Sequence, residues 1–440
     1  MNKYPNIIVI RGEGTFSSGA LNINGSFEIT NYPEKTIIEV TTQNVNHLLN
    51  ALLSNNIWKL EGKVDQNIAV YAEDLQITNV SDKVIFEPLK ELRFGDFAPK
   101  EITEAKFPLI GLYSGSIDLN FHHRRIISEG QESITSENYV LGKRWNLQLE
   151  GKTLKLKQPQ TTIDEYQIKA NNICLLLSLA VGNSVIFNRQ FYYKDDQMVL
   201  EIWRRKAGYH YGVEPCIPDF QINKFLECTL SSFEKWSKKK KDLFFSTVNY
   251  INSANQGFLE DRLLRLCIAW ESLALKLVKT STLPKLEIEL LKEFLEKSID
   301  NFDLPECLDR GFIKDRIVKA LEWEKLYNSL INLVNHYNLD CEKLHLDFKK
   351  LIKIRNDVAH SGQFRKKYSK TDLADLVFYS KTGLQVILLL ELGYTDMIVF
   401  QDDKFVTKIK IDELKKPAHN KEDFIWYGVP RMKSHVALHP

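Results

Sequence analysis

The feature that most constrains this chain is a change of period part-way along it. Up to about residue 150 the apolar residues come in short alternating or β-branched runs, at 7–10, 20–29, 36–41, 58–64, 68–77, 83–86 and 116–121, punctuated by Gly, Asn, Asp and Pro. Alternation by two is what a strand with one buried face requires. Beyond Pro215 and Pro218, and throughout the stretch after Asn223, apolar residues recur at three and four, the spacing of a helix with one buried stripe. No single kind of element satisfies both periods. The expectation is therefore an α+β protein, with an N-terminal β-rich domain over 1–215, an all-α domain over 216–395 and a C-terminal extension over 396–440. The extension returns to alternation at 397–400 and 405–411 and predicts a short strand pair.

Between the two regimes, 168–181 is apolar nearly all round and predicts a buried helix. The runs 185–193 and 198–203 flank Lys194-Asp195-Asp196 and predict a hairpin. Tyr192, Tyr193, Trp203, Tyr209 and Tyr211 interleave with Arg204, Arg205 and Lys206, as a base-stacking platform would and as the core and rim of a sheet also would. Gly14, Gly19 and Gly25 are too irregularly spaced for a phosphate-cradling loop and are expected in turns and bulges. Helices are expected at 286–299, 313–323, 325–337, 341–360 and 371–392.

A length of 440 residues exceeds one ordinary core, and 44% apolar with 26% charged residues is a globular composition. With a net charge of +2, contact with nucleic acid would have to come from a local patch. Two clusters qualify. His122-His123-Arg124-Arg125 closes a predicted strand, and Lys238–Lys241 opens a predicted helix. Each reads equally as a solvated end. Adjacent histidines on a strand face opposite ways, against a shared metal ion. The six cysteines, without close pairs, predict reduced structural thiols. The apolar run near the start ends at Arg11, too short for a signal-peptide core, and 386–390 is far short of a membrane span, so a cytoplasmic protein with no membrane partner is expected.

The most informative short stretch is Arg355-Asn356-Asp357-Val358-Ala359-His360-Ser361-Gly362. Upstream, Leu344, Phe348, Leu351, Arg355 and Val358 recur at four and three, which sets Arg355 in an apolar seam where a guanidinium needs a carboxylate, a second subunit or a phosphate. Asn356 and His360, at i and i+4, share a face. His360 just before Gly362 also suits a helix-end residue that satisfies a carbonyl. A second polar intrusion is Glu271, whose helical neighbours Leu264, Cys267, Ile268, Ala274, Leu275 and Val278 are all apolar, predicting a desolvated carboxylate in need of a cation. A Glu271–Arg355 pair answers both needs, as part of a site or as a buried ion pair without chemistry.

Arginine, a polar residue, three further positions and histidine, followed by small residues, resembles the Arg-x4-His motif of the HEPN superfamily of helical ribonuclease domains. The motif's place on the penultimate long helix resembles the C-terminal HEPN domain of ApeA-type abortive-infection proteins, whose β-rich N-terminal domain is similar in length and pattern to residues 1–215. The resemblance implies a HEPN-like helical bundle and RNA cleavage by 2′-hydroxyl attack, with no cofactor and no metal. It implies RNA as the partner, transfer RNA among the candidates. His360 would move the proton, Arg355 would hold the phosphate, Asn356 would orient either, and Glu271 would hold Arg355. One copy leaves these side chains diverging, so a homodimer with a composite cleft is expected, with a phage-derived trigger sensed by the β-rich domain. The competing expectations are a non-catalytic bundle for dimerisation and ligand or protein binding, and a module serving a separate nucleotidyltransferase.

Overall fold

The computed structural model describes residues 8–19, 21–31, 35–42, 57–64, 67–80, 83–99, 101–110, 134–140, 143–150, 153–204, 215–218, 221–278, 285–300, 309, 311–313, 326–361, 368–402 and 405–417. The strand expected at 116–121, the cluster His122–Arg125, most of the helix expected at 313–323, the aromatics Tyr209 and Tyr211, Cys307 and the tail from 418 lie outside them.

The chain is α+β, as its two periods require. Six strands close into a barrel: β1 (Ile8–Ser18), β2 (Leu21–Asn31), β3 (Thr36–Thr41), β4 (Ile57–Val64), β5 (Ile68–Val80) and β6 (Val84–Pro88). The order is β4-β1-β2-β3-β6-β5, and β5 pairs back onto β4. Their alternating residues fill the inside, where Phe16 stacks on Phe86 at 4.8 Å and Trp58 meets Phe86 edge-on at 5.7 Å. Gly14 and Gly25 are not turn residues. They face each other across β1 and β2, with Gly62 on the far side of Gly14. A Cβ on Gly25 would come within 2.5 Å of the Thr41 carbonyl oxygen, and one on Gly14 within 2.7 Å of that of Glu61. The strongly coiled strands of so small a barrel approach too closely there for any side chain. Gly19, at φ +58°, is the turn glycine.

The ladder continues out of the barrel through β5. Its first half pairs with β7 (Glu91–Gly95) and its second half with β6. The hand-over falls at Asp74, which is left-handed at φ 55° and accepts a hydrogen bond from the Leu89 N–H, a conformation that Asp tolerates better than most residues. From β7 the sheet runs through β14 (Gln197–Arg204), β13 (Arg189–Lys194), β8 (Ile102–Ile110), β11 (Thr153–Thr161) and β10 (Lys143–Glu150) to β9 (Ile134–Val140), with β12 (Ile186–Phe187) on β8. The expected hairpin is β13–β14, its two-residue turn formed by Asp195 and Asp196, both at positive φ, as a tight hairpin needs. Tyr192 and Trp203 are core residues, which settles their part of the aromatic cluster as sheet interior.

Helix α1 (Ile163–Val181) lies on this second sheet. Thr162 and Glu165 form a capping box at its start and left-handed Gly182 ends it. Then come α2 (Ile222–Glu234), α3 (Lys238–Ser253), α4 (Leu259–Leu277), α5 (Lys285–Asp300), α6 (Leu326–His336), α7 (Phe348–Ser361) and α8 (Lys370–Glu391), followed by the antiparallel pair β15 (Met397–Asp402) and β16 (Phe405–Lys410). Helix α4 is the hub, packing against α3, α6, α7 and α8. By length and composition α8 could cross a membrane, yet 72% of its most apolar window is buried inside the molecule. Helix α7 starts seven residues later than its apolar period suggests. His345 is left-handed at φ 51°, and Asp347 caps the helix by accepting the Lys350 N–H at 2.8 Å.

Two buried apolar clusters result. One fills the barrel, while the other joins the second sheet, α1 and the helices, running through residue 215 without a break. Strand β14 is the wall between them: Ile202 belongs to the second cluster and its neighbour Trp203 to the first, because successive residues of a strand point to opposite faces.

Candidate functional site

Helices α4 and α7 bring Glu271 and Arg355 together. The Nη2 of Arg355 lies 3.4 Å from Oε2 of Glu271, and its Nη1 donates to Oδ1 of Asn356 at 3.1 Å. Beneath the pair the two helices interlock. Trp270 is fully buried, meets Phe348 edge-on at 4.9 Å and donates through Nε1 to the Ser380 carbonyl of α8. Cys267, one turn before Glu271, points its thiol at the Leu351 carbonyl. Burial pushes that thiol up to about 12, while Arg355 lowers it and Glu271 raises it. The thiol is inert packing; its sensitivity to both charges shows how close to the core the pair sits.

Neither member is as deeply placed as the sequence predicts. The Arg355 side chain is 35% exposed and that of Glu271 36%. In α7 the middle of the apolar face belongs to Leu351 and Ile354, and Arg355 stands on its shoulder. In α4 the buried stripe is Leu263, Cys267, Trp270 and Ala274. Of the apolar neighbours expected to cover Glu271, Cys267 and Ala274 are buried in that stripe, whereas Ile268 and Leu275 face outward, 38% and 65% exposed. Spacing identified the apolar side chains around the carboxylate but not which of them have a partner element to cover them. The ion pair is thus a half-solvated one, and its net contribution to stability is on the order of 0–1 kcal/mol.

Asn356 is exposed next to the pair. His360 follows in the last turn of α7, four residues beyond Asn356 and on the same helical face by register; the structure describes its backbone and not its side chain. Of the four predicted site residues, then, Glu271, Arg355 and Asn356 form one connected polar chain, and His360 lies one helical turn further along. The apolar stripe of α7 drew attention to Arg355 but passed over the polar stripe opposite, Lys349, Lys353 and Asn356, all exposed. Its signal was available as the same three-and-four spacing applied to charged residues.

The other basic cluster, Lys238–Lys241, opens α3. Lys240 pairs with Glu391 at 2.6 Å and lies over the Trp236 ring, and Lys241 donates to the Glu234 carbonyl, so half of the run is used in packing. Among the described residues no group of three His, Cys, Asp or Glu side chains is arranged to hold a metal ion. The described cysteines are unpaired, and Cys174, Cys216 and Cys267 are buried. No family model matches this sequence, and no curated protein or solved structure matches it either.

Proposed function

We propose that the helical region is a HEPN-type endoribonuclease half-site, acting on RNA in anti-phage abortive-infection defence in the cytoplasm, with the β-rich region as its sensor. The observation that supports this most is the chain Glu271–Arg355–Asn356 at the surface where α4 meets α7, with His360 one turn beyond. A carboxylate behind the guanidinium holds it in one orientation and leaves its remaining N–H groups for an outside anion. In the reaction the ribose 2′-oxygen bonds to the adjacent phosphorus as its proton passes to a base. The P–O5′ bond breaks, and the departing 5′-oxygen takes up a proton, leaving a 2′,3′-cyclic phosphate and a 5′-hydroxyl. His360 serves the proton transfers and Arg355 the charge that develops on the phosphoryl oxygens. Histidine suits the task because its ordinary titration range spans neutrality.

A single copy offers one histidine and one arginine on a convex helical surface. The exposed Ile268 and Leu275, flanking Glu271 along α4, support a second protomer seated beside the site, which would bring two motifs to one cleft. The same exposed residues favour the alternative of a non-catalytic dimerisation and binding bundle, so the two readings separate on chemistry. Wild-type protein incubated with total RNA in EDTA is expected to release fragments ending in cyclic phosphate. His360→Ala and Arg355→Ala are expected to lower the rate by a factor on the order of 10²–10⁴. Identical RNA profiles for wild type and His360→Ala, in a host where phage protection by the wild type is intact, would leave the binding bundle as the answer.

A further inference from the structure

On the outer face of α7, Lys349, Lys353, Asn356 and His360 follow one another at intervals of four, three and four, within roughly 60° of arc. The first three are exposed. Their surroundings differ from those of the other lysine in the same turn. Lys350 lies about 100° round the helix and is neutralised by Asp372 at 3.5 Å. Lys349 instead holds its ammonium over the ring of Tyr327 in α6, 5.6 Å from its centre, which orders the side chain without cancelling its charge. Lys353 makes no ion pair with any described residue. The row therefore carries two uncancelled positive charges leading to Asn356 and His360. From Lys349 to Asn356 it spans about 10.5 Å along the axis at 1.5 Å per residue. At about 3.4 Å per nucleotide along one strand, that is roughly three nucleotides.

We infer that Lys349 and Lys353 are the positioning residues for the RNA strand, holding the phosphates on one side of the scissile position so that the strand runs along α7 into His360. The inference rests on the ribonuclease reading and specifies its substrate track. Single-stranded RNA fits because a row on one convex helical face meets one backbone, and the adjoining bases stay free to turn away.

The test uses the full-length protein and a fluorescent single-stranded RNA with 2′-O-methyl groups, which cannot attack its own phosphates. Binding is followed by anisotropy over a range of salt concentration. Each phosphate that is no longer neutralised should reduce the slope of log K against log salt by about 0.7 for a single strand. Lys349→Gln and Lys353→Gln are expected to lower it by about that much each and the double variant by about twice as much, whereas Lys350→Gln, already neutralised, leaves the slope unchanged; melting temperatures confirm that all are folded. A slope that falls equally for Lys350→Gln, that falls for none of the three, or a wild type without salt-dependent binding overturns the inference. If total RNA is still cleaved by wild type and spared by His360→Ala while the slopes stay level, the track alone is wrong. If the slopes fall as expected and His360→Ala changes no RNA profile, the track stands and the nuclease reading does not.

Discussion

The barrel and the second sheet are built from the same kind of strand and share one continuous ladder, yet they are stabilised differently. The barrel encloses its own apolar residues and needs no helix to cover them. The second sheet leaves a face open that α1 and then the helical bundle cover, so its core is also theirs. A closed element can thus change its state while keeping its core, whereas a disturbance of the open sheet is felt in α1, α2 and α4. The backbone hydrogen bonds through β5, β7 and β14 connect the two.

The contrast is broken most severely by Trp270→Ala, which empties the joint core where α4, α7 and α8 meet. The expected loss is about 3–5 kcal/mol. Hydrogen exchange should show protection falling together in the helices and in β8, β11 and β14, with the inner strands of the barrel spared. Protection retained in β8 and β11 would mean two separate cores.

Next is the buried pair of Lys169 in α1 and Glu234 at the end of α2, 2.7 Å apart with the side chains 1% and 7% exposed. The second carboxylate oxygen of Glu234 has no hydrogen-bond partner among the described residues. Lys169→Met leaves that carboxylate buried alone and should cost about 3–5 kcal/mol. Lys169→Met with Glu234→Leu should be neutral or more stable than wild type, by up to about 4 kcal/mol. Denaturant melts of the two variants decide it; equal destabilisation would show that the pair itself is a net source of stability.

A smaller effect is expected from Gly25→Ala, whose methyl meets the Thr41 carbonyl. A loss of about 1–3 kcal/mol should appear as lowered protection in β1–β3 alone. Spread of the effect into α1 would contradict the barrel's independence.

The smallest effect distinguishes two carboxylates by sign. Glu104 in β8 is held below the ordinary carboxylate range. Its burial pushes upward, but hydrogen bonds and charge from Lys157, at 2.8 Å, and Lys106, at 3.2 Å, outweigh it. Its contribution to stability is present above pH 4.5 and lost as the pH falls through the lowered value. Glu234 is pushed up, burial prevailing over the charge and hydrogen bond of Lys169 and the charge of Lys241. Its contribution is present below pH 4.5 and lost as the pH rises through the raised value. Carboxyl carbon shifts followed by NMR should move at lower pH for Glu104 than for Glu234; the reverse order would invert the assignment.

Much of this was legible in the sequence because period is a local property. The alternation along β2–β5, the Asp195-Asp196 hairpin turn and the helices after Asn223 all follow from neighbours a few residues apart. The Arg355–Glu271 pairing was legible for a different reason, since each charge was out of place in its own stripe. What sequence could not supply was the identity of covering partners. Ile268 and Leu275 look like core on a helical wheel and are exposed because no described helix lies over them. Likewise Gly14 and Gly25 look like turn residues until two strands 11 positions apart in sequence are found in register. The Lys169–Glu234 pair was missed for a related reason, because the lysine's burial comes from packing against a helix 65 residues away.

The way the sheet ends restricts how copies of this protein can adhere to one another. A ring has no margin, and among the described strands of the long ladder the terminal one, β9, has α2 packed against it. Unsatisfied strand margins are where chains recruit each other into extended assemblies. With those margins closed or shielded, main-chain pairing between copies is disfavoured along this ladder, which leaves the two-stranded β15–β16 sheet and the side chains of helical surfaces as the described places where copies can meet.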